Sequence, residues 1–292
     1  ARRCGASIPP TTTSSPRLPS LSRSRHEEQP SMTLAYERTG SGEPLVLLHG
    51  LGHRRQAWDA VVPLLAADRD VFTVDLPAMG ESATPPVGDY RVMADMVEKL
   101  FGELGLERPH IAGNSLGGLI ALELAARGAV RSATALSPAG FWNGPEYAWC
   151  VAVFRIAGFL GARLPDAVLR RIVRNRVARV SLYGLFFGRP SRHTEADLIR
   201  DLRGLGGPHR PALDAVLPEF RHCPLPTPAA AGIPTTVAWG RRDLLLFPHQ
   251  ARRARRALPG ARFLALRGCG HVPMADDPER VAAVLLEASR TG

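Results

Sequence analysis

The sequence predicts an α/β fold: a mostly parallel sheet covered by helices on both faces, with a helical segment inserted in its second half. Three observations carry this. Short apolar runs bounded by glycine, proline or charge recur along the chain, the form taken by strands buried on both faces. Longer stretches with apolar residues at helical spacing separate them, and strand alternating with helix implies parallel pairing through crossovers. One stretch, residues 141–226, carries no strand-like run and breaks the rhythm.

The expected strands, in order, are LVLLHG (45–50), DVFTVDL (70–76), PHIAGN (109–114), SATALSP (132–138), TTVAWG (235–240) and ARFLAL (261–266). Helices are expected over YRVMADMVEKLFGEL (90–104), LGGLIALELAARG (116–128) and PERVAAVLLEAS (278–289). The last has Asp277 placed as N-cap and Pro278 in the first turn, where its missing N–H costs nothing. Nine of the chain's 18 aromatic residues fall between Phe141 and Phe187, so residues 141–226 are expected to form a helical cap over a core made of 32–140 and 227–292. Residues 1–31 are rich in Pro, Ser, Thr and Arg, with no apolar periodicity and no signal-peptide core. They are expected to be a disordered, dispensable leader, with an organelle transit peptide as the competing reading.

Among 292 residues the net charge is +10, yet of the 37 basic residues only Lys99 is lysine. Scattered arginines alongside abundant Ala, Gly and Pro read as the coding bias of a GC-rich genome, and no nucleic-acid motif accompanies them. The cysteines, Cys4, Cys150, Cys223 and Cys269, form no close pair of the kind that binds zinc, which favours a reduced, cytoplasmic protein. The apolar stretch Tyr147 to Leu164 is interrupted by Arg155 and Arg163 and is barely long enough to span a bilayer, so no transmembrane helix is expected. The expected partner is therefore a small-molecule substrate, with no nucleic acid, no stable membrane insertion, no metal and no cofactor.

Functional groups of an open parallel sheet collect beyond the carboxyl ends of its strands, and Ser115 stands there. Gly113-Asn114-Ser115-Leu116-Gly117 fits G-x-S-x-G, a strand turning sharply into a helix with the serine hydroxyl exposed at the turn. By chance the pentapeptide would occur about 0.14 times in a chain of this composition, so its place between an apolar strand and an apolar helix carries the weight. A serine hydroxyl needs a general base, itself oriented by a carboxylate. Later strand ends offer Asp243, in GRRD, and His271, in RGCGHVPMADDPE. HGLG at 49–52 follows the first strong strand, so the Leu51 amide is expected to face the Leu116 amide as an oxyanion hole. His49 is read as a support of that loop rather than a base. Trp58, Trp142 and Val272 are the expected substrate contacts.

HGLG, DLPAMGES, GNSLGG, GRRD and GHVPMADDPE together resemble the α/β-hydrolase fold superfamily, from about residue 33 to the end. The resemblance implies a serine hydrolase with Ser115 as nucleophile, Asp243 as acid, His271 as base, and a helical cap. Ala78 departs from the pattern, standing where DLPGxGxS members carry glycine. Dehalogenase and epoxide hydrolase readings are disfavoured, because serine replaces their aspartate nucleophile. What remains is a carboxylic-ester hydrolase, with carbon-carbon bond hydrolysis of the meta-cleavage-product type as the alternative suggested by GNSxGG. Against that alternative, Val272 occupies the place where those enzymes often have tryptophan. Arg155, Arg170 or Arg174 would hold a substrate carboxylate under it. A non-catalytic ligand-binding homologue is the third reading.

Overall fold

The computed structural model describes Ala1, residues 34–224 and residues 226–290, and the expected leader over 1–31 lies, but for Ala1, outside the described residues. Seven strands form one sheet in the order β1-β3-β2-β4-β5-β6-β7. They are β1 (Tyr36–Gly40), β2 (Glu43–Leu48), β3 (Arg69–Val74), β4 (His110–Asn114), β5 (Ser132–Leu136), β6 (Thr235–Gly240) and β7 (Arg262–Leu266). β1 pairs antiparallel with β3 and every other pair is parallel. The helices are α1 (Val62–Leu65), α2 (Tyr90–Glu103), α3 (Leu116–Arg127), α4 (Gly144–Arg163), α5 (Asp166–Arg174), α6 (Arg176–Tyr183), α7 (Glu195–Gly206), α8 (Arg210–Glu219), α9 (Ala251–Ala257), α10 (Pro273–Asp276) and α11 (Pro278–Ala288).

The interior strands explain why their sequences are continuously apolar. Leu45 and Leu47 of β2 join one buried cluster with Val71, Ala112, Leu136 and Ala238, whereas Val46 and Leu48 join another with Phe72, Ile111, Ala133 and Val237. Successive strand residues point to opposite faces, so the two clusters lie on opposite sides of the sheet. Met93, Val97, Leu119 and Ile120 of α2 and α3 belong to one, and Leu65, Val281 and Leu285 of α1 and α11 to the other. Truncating a side chain such as Leu47 to alanine would cost about 2–5 kcal/mol in transfer and cavity terms.

The six expected strands are present to within two residues at each end. β1 has no counterpart among them: its residues YERTG are all exposed, and a strand that buries nothing leaves no apolar run to read. β7 corrects the expectation of burial on both faces, because it closes the sheet and only Leu266 of its five residues is buried. Asp277 caps α11, accepting from the Arg280 N–H at 3.3 Å, with Pro278 at the first position. Between β5 and β6 stand the five helices α4 to α8, with α7 packed against α4, α5 and α8.

Candidate active site

β4 ends at Asn114 and α3 begins at Leu116, so Ser115 alone makes the turn. Its backbone sits at φ 55°, ψ −113°, a region that costs a side-chain-bearing residue of order 1–3 kcal/mol and persists only where its surroundings impose it. Here the Ser115 N–H donates to the Leu136 carbonyl at 2.9 Å, and the Ser115 carbonyl accepts from Leu119 at 3.0 Å and Ala139 at 3.1 Å. The flanking glycines are steric requirements. A Cβ on Gly113 would lie 2.1 Å from the Gly117 carbonyl oxygen, and one on Gly117 would lie 2.5 Å from that of Leu48. The Ser115 side chain does not cap α3 and instead lines a cavity.

Asp243 follows the end of β6 and is fully buried. Its Oδ1 accepts the Leu245 and Leu246 N–H groups at 3.0 and 2.8 Å, and its Oδ2 faces His271 Nδ1 at 2.9 Å. A carboxylate in that place requires a donor, so the His271 proton sits on Nδ1 and Nε2 is the basic nitrogen. The His271 N–H donates to the Phe186 carbonyl at 2.7 Å. Its own carbonyl accepts from Asn114 Nδ2 at 2.8 Å, and the same amide donates to Leu136 at 3.1 Å. Asn114 therefore ties the histidine loop to the serine turn. Buried Asp276 accepts from the Gly270 N–H at 2.7 Å and from the Gly188 and Arg189 N–H groups, each at 2.8 Å. It fastens the same loop to the segment after α6.

Ser115 and His271 share one narrow cavity of about 50 Å³, room for about four water molecules. Phe154 of α4, Leu182 and Tyr183 of α6, and Leu202 and Leu205 of α7 form much of its wall, with Leu51, Phe186, Phe187 and Val272. The loop bearing Leu51 runs close to the turn: a Cβ on Gly50 would lie 3.2 Å from Ser115 Cβ. Among the described residues, neither the Leu51 amide nor the Leu116 amide has a hydrogen-bond acceptor.

His49 Nδ1 donates to the Gly50 carbonyl at 2.8 Å while Nε2 accepts from the Leu76 N–H at 3.0 Å. Both ring nitrogens are occupied, and burial pushes the His49 pKa down to about 3, so it supports the loop as a neutral ring. Three further groups brace this region without a local sequence signal. Asp75 accepts the Arg55 N–H at 2.6 Å and the Glu81 N–H at 2.9 Å, and His209 Nδ1 donates to the Gly52 carbonyl at 2.8 Å. The third is Asp276.

Two expected substrate contacts are corrected. Trp58 is fully buried in the sheet-face cluster with Leu45 and Leu47, away from the cavity lining. Trp142 packs on Phe220 at 5.1 Å and Tyr147 at 6.3 Å between ring centroids and lines a different cavity. Val272 does reach the Ser115 cavity. None of Arg155, Arg170 and Arg174 lines it, and the last two lie 3.9 and 2.8 Å from Glu195. Burial pushes the Cys150 and Cys223 thiols up to about 12 and that of Cys269 to about 11, so at neutral pH they supply no thiolate. Among the described residues no group of three or more His, Cys, Asp or Glu is placed to hold a metal ion, and no helix is long and apolar enough to cross a membrane.

A serine on a strained strand-to-helix turn, with a histidine and a buried carboxylate beyond later strands of one mostly parallel sheet, defines the class of α/β hydrolase folds. The sequence profile of the alpha/beta hydrolase family matches residues 45–284, and the chain belongs to that family. It is 33% identical to epoxide hydrolase EphH of Mycobacterium tuberculosis over 66% of this chain and 92% of that one. It is 26% identical to lipase 1 of Psychrobacter immobilis, over 89% and 85%. Among solved structures it resembles a thermophilic esterase from Thermogutta terrifontis, with TM-score 0.68 and 26% identity across 88% of this chain and 93% of that one. Hydrolysis is the general activity these relatives share.

Proposed function

We propose that the protein cleaves carboxylic esters of small, mainly apolar substrates through an acyl-enzyme. The observation that carries this is the shared cavity of Ser115, on its strained turn, and His271, with Nδ1 held 2.9 Å from Asp243. Ser115 Oγ attacks the acyl carbon as His271 Nε2 takes the hydroxyl proton, and Asp243 stabilises the imidazolium. The Leu51 and Leu116 amides receive the oxyanion, each donor contributing about 2.7–4 kcal/mol by analogy with measured oxyanion-hole deletions. Collapse breaks the ester C–O bond, and the leaving alkoxide takes the proton from Nε2. Water then attacks the acyl-enzyme with Nε2 as base, releasing the acid and returning the proton to Ser115. Residues 141–226 act as a cap that excludes bulk water, and the apolar walls and small volume set the substrate class.

Chemistry separates this reading from that suggested by the name of the mycobacterial relative. Opening of an epoxide by Ser115 Oγ would leave an alkyl ether, which has no carbonyl for water to attack, so the enzyme would stop after one turnover. The likeness of GNSLGG to carbon-carbon hydrolases draws on Asn114, whose amide has a full structural use in joining Leu136 to His271. The test is a panel of short p-nitrophenyl esters, an aryl epoxide and a ring-fission dienone, run on wild type and Ser115→Ala. Ser115-dependent turnover of the esters is expected, and a strong preference for either of the others would reverse the assignment.

A further inference from the structure

The loop that carries Leu51 goes on to build a second cavity. Gly52, His53 and Asp201 line both, but the second, about 200 Å³, differs in kind. Arg54, Arg200, Arg203, His53 and His209 surround it, with Asp201 the only acid in its lining.

Most of these groups are already engaged. Arg203 donates to the Gly161 and Leu164 carbonyls and to Asp166. Arg200 lies 2.7 Å from Asp197 and 3.9 Å from Asp201, and His209 holds Gly52. Two are not. Among the described residues the Arg54 guanidinium makes no hydrogen bond or ion pair, and the buried Nδ1 of His53 has no partner, although Nε2 lies 3.9 Å from Asp201. An unpaired buried ring nitrogen destabilises a fold, and a ligand removes that penalty.

The position fits a substrate. Leu51 and Arg54 are three residues apart, at most about 11 Å between Cα atoms, and the turn closed by the His53 N–H on the Gly50 carbonyl at 3.1 Å shortens the path. Leu51 of this loop faces the cavity of Ser115 and Arg54 faces the second, so a substrate that follows the loop can present its ester at Ser115 and an anionic end to Arg54. We propose that this cavity binds an anionic oxyacid group, a carboxylate or phosphate, carried by the substrate whose ester lies at Ser115, with Arg54 supplying the charge and His53 Nδ1 a hydrogen bond. The proposal builds on the ester reading and narrows it to amphiphilic esters with an apolar part and an anionic end. It also replaces the arginines singled out in the sequence by one that lines the site.

Two readouts test it. In the first, kcat/KM is compared for mono-p-nitrophenyl glutarate against p-nitrophenyl hexanoate, and for 3-(butyryloxy)propyl phosphate against propyl butyrate, in wild type and Arg54→Ala. The wild type is expected to favour the charged member of at least one pair by about tenfold, through KM, and Arg54→Ala to lower that ratio about tenfold, as for loss of one charge-assisted hydrogen bond. The pair that responds tells carboxylate from phosphate. In the second, glutarate and inorganic phosphate are added to the Ser115→Ala protein, and a thermal shift that Arg54→Ala abolishes supports the site without turnover. Ester hydrolysis with unchanged ratios and no shift would overturn the anion site alone. A shift without any ester hydrolysis would overturn the ester reading while supporting the site.

Discussion

Replacing Asp276 with asparagine probes whether the histidine loop is held by the inserted segment. The carboxylate is fully buried, its Oδ2 accepting from Gly270 at 2.7 Å and Gly188 at 2.8 Å and its Oδ1 from Arg189 at 2.8 Å. Asparagine keeps the shape, but one terminal atom becomes an NH2 that cannot accept. In the better orientation the NH2 faces Arg189, so one bond is lost and two fall from charge-assisted to neutral strength. With charge-assisted bonds at about 1.5–3 kcal/mol and neutral ones at about 0.5–1.5, the loss comes to about 5 kcal/mol. For a domain of this size that is a fall in Tm of about 10 °C. Because Gly270 precedes His271, kcat should also fall, by about tenfold or more, since small misplacements of a catalytic group are costly. Urea titration gives the first number. Kinetics on p-nitrophenyl butyrate, at a temperature where both proteins are folded, give the second. A variant within 1 kcal/mol of wild type in stability and within about twofold in kcat would refute the reasoning.

Ala78 sits at φ 57°, where a left-handed backbone costs about 1–2 kcal/mol, while glycine adds about 0.5–1 kcal/mol of unfolded-state entropy. Ala78→Gly should therefore raise stability by about 0.5–1 kcal/mol in thermal melts, and a loss would show the strain to be relieved some other way. His49, with its pKa pushed down to about 3 by burial, excludes a proton that the unfolded chain binds below about 6.5. Stability from this group is complete above that pH and falls towards pH 3 by about 1.4 kcal/mol per unit. Urea midpoints between pH 6.5 and 4 should accordingly slope less in His49→Gln than in wild type, and parallel slopes would contradict the assignment.

The parallel core was legible because strands buried on both faces leave unbroken apolar runs, and the serine turn because its glycines are local steric necessities. Other features depend on distant partners. β1 buries nothing and so has no pattern. Trp58 and Trp142 read as aromatic contacts in sequence, yet one is fully buried against Leu45 and Leu47 on one face of the sheet and the other packs on Phe220 and Tyr147. Asp276 was visible only as an acid before α11, since two of its partners, Gly188 and Arg189, lie 88 and 87 residues earlier. Asn114, which GNSLGG marks as a hint of substrate class, also joins Leu136 to His271 through its amide, a link that only the folded chain shows.

The central claim is that Ser115 is the nucleophile, and labelling with a fluorophosphonate followed by intact-protein mass spectrometry tests it most directly. The account predicts one equivalent of label on the wild type, mapped to Ser115, with none on Ser115→Ala and slowed labelling of His271→Ala. Equal labelling of the Ser115→Ala protein would contradict it.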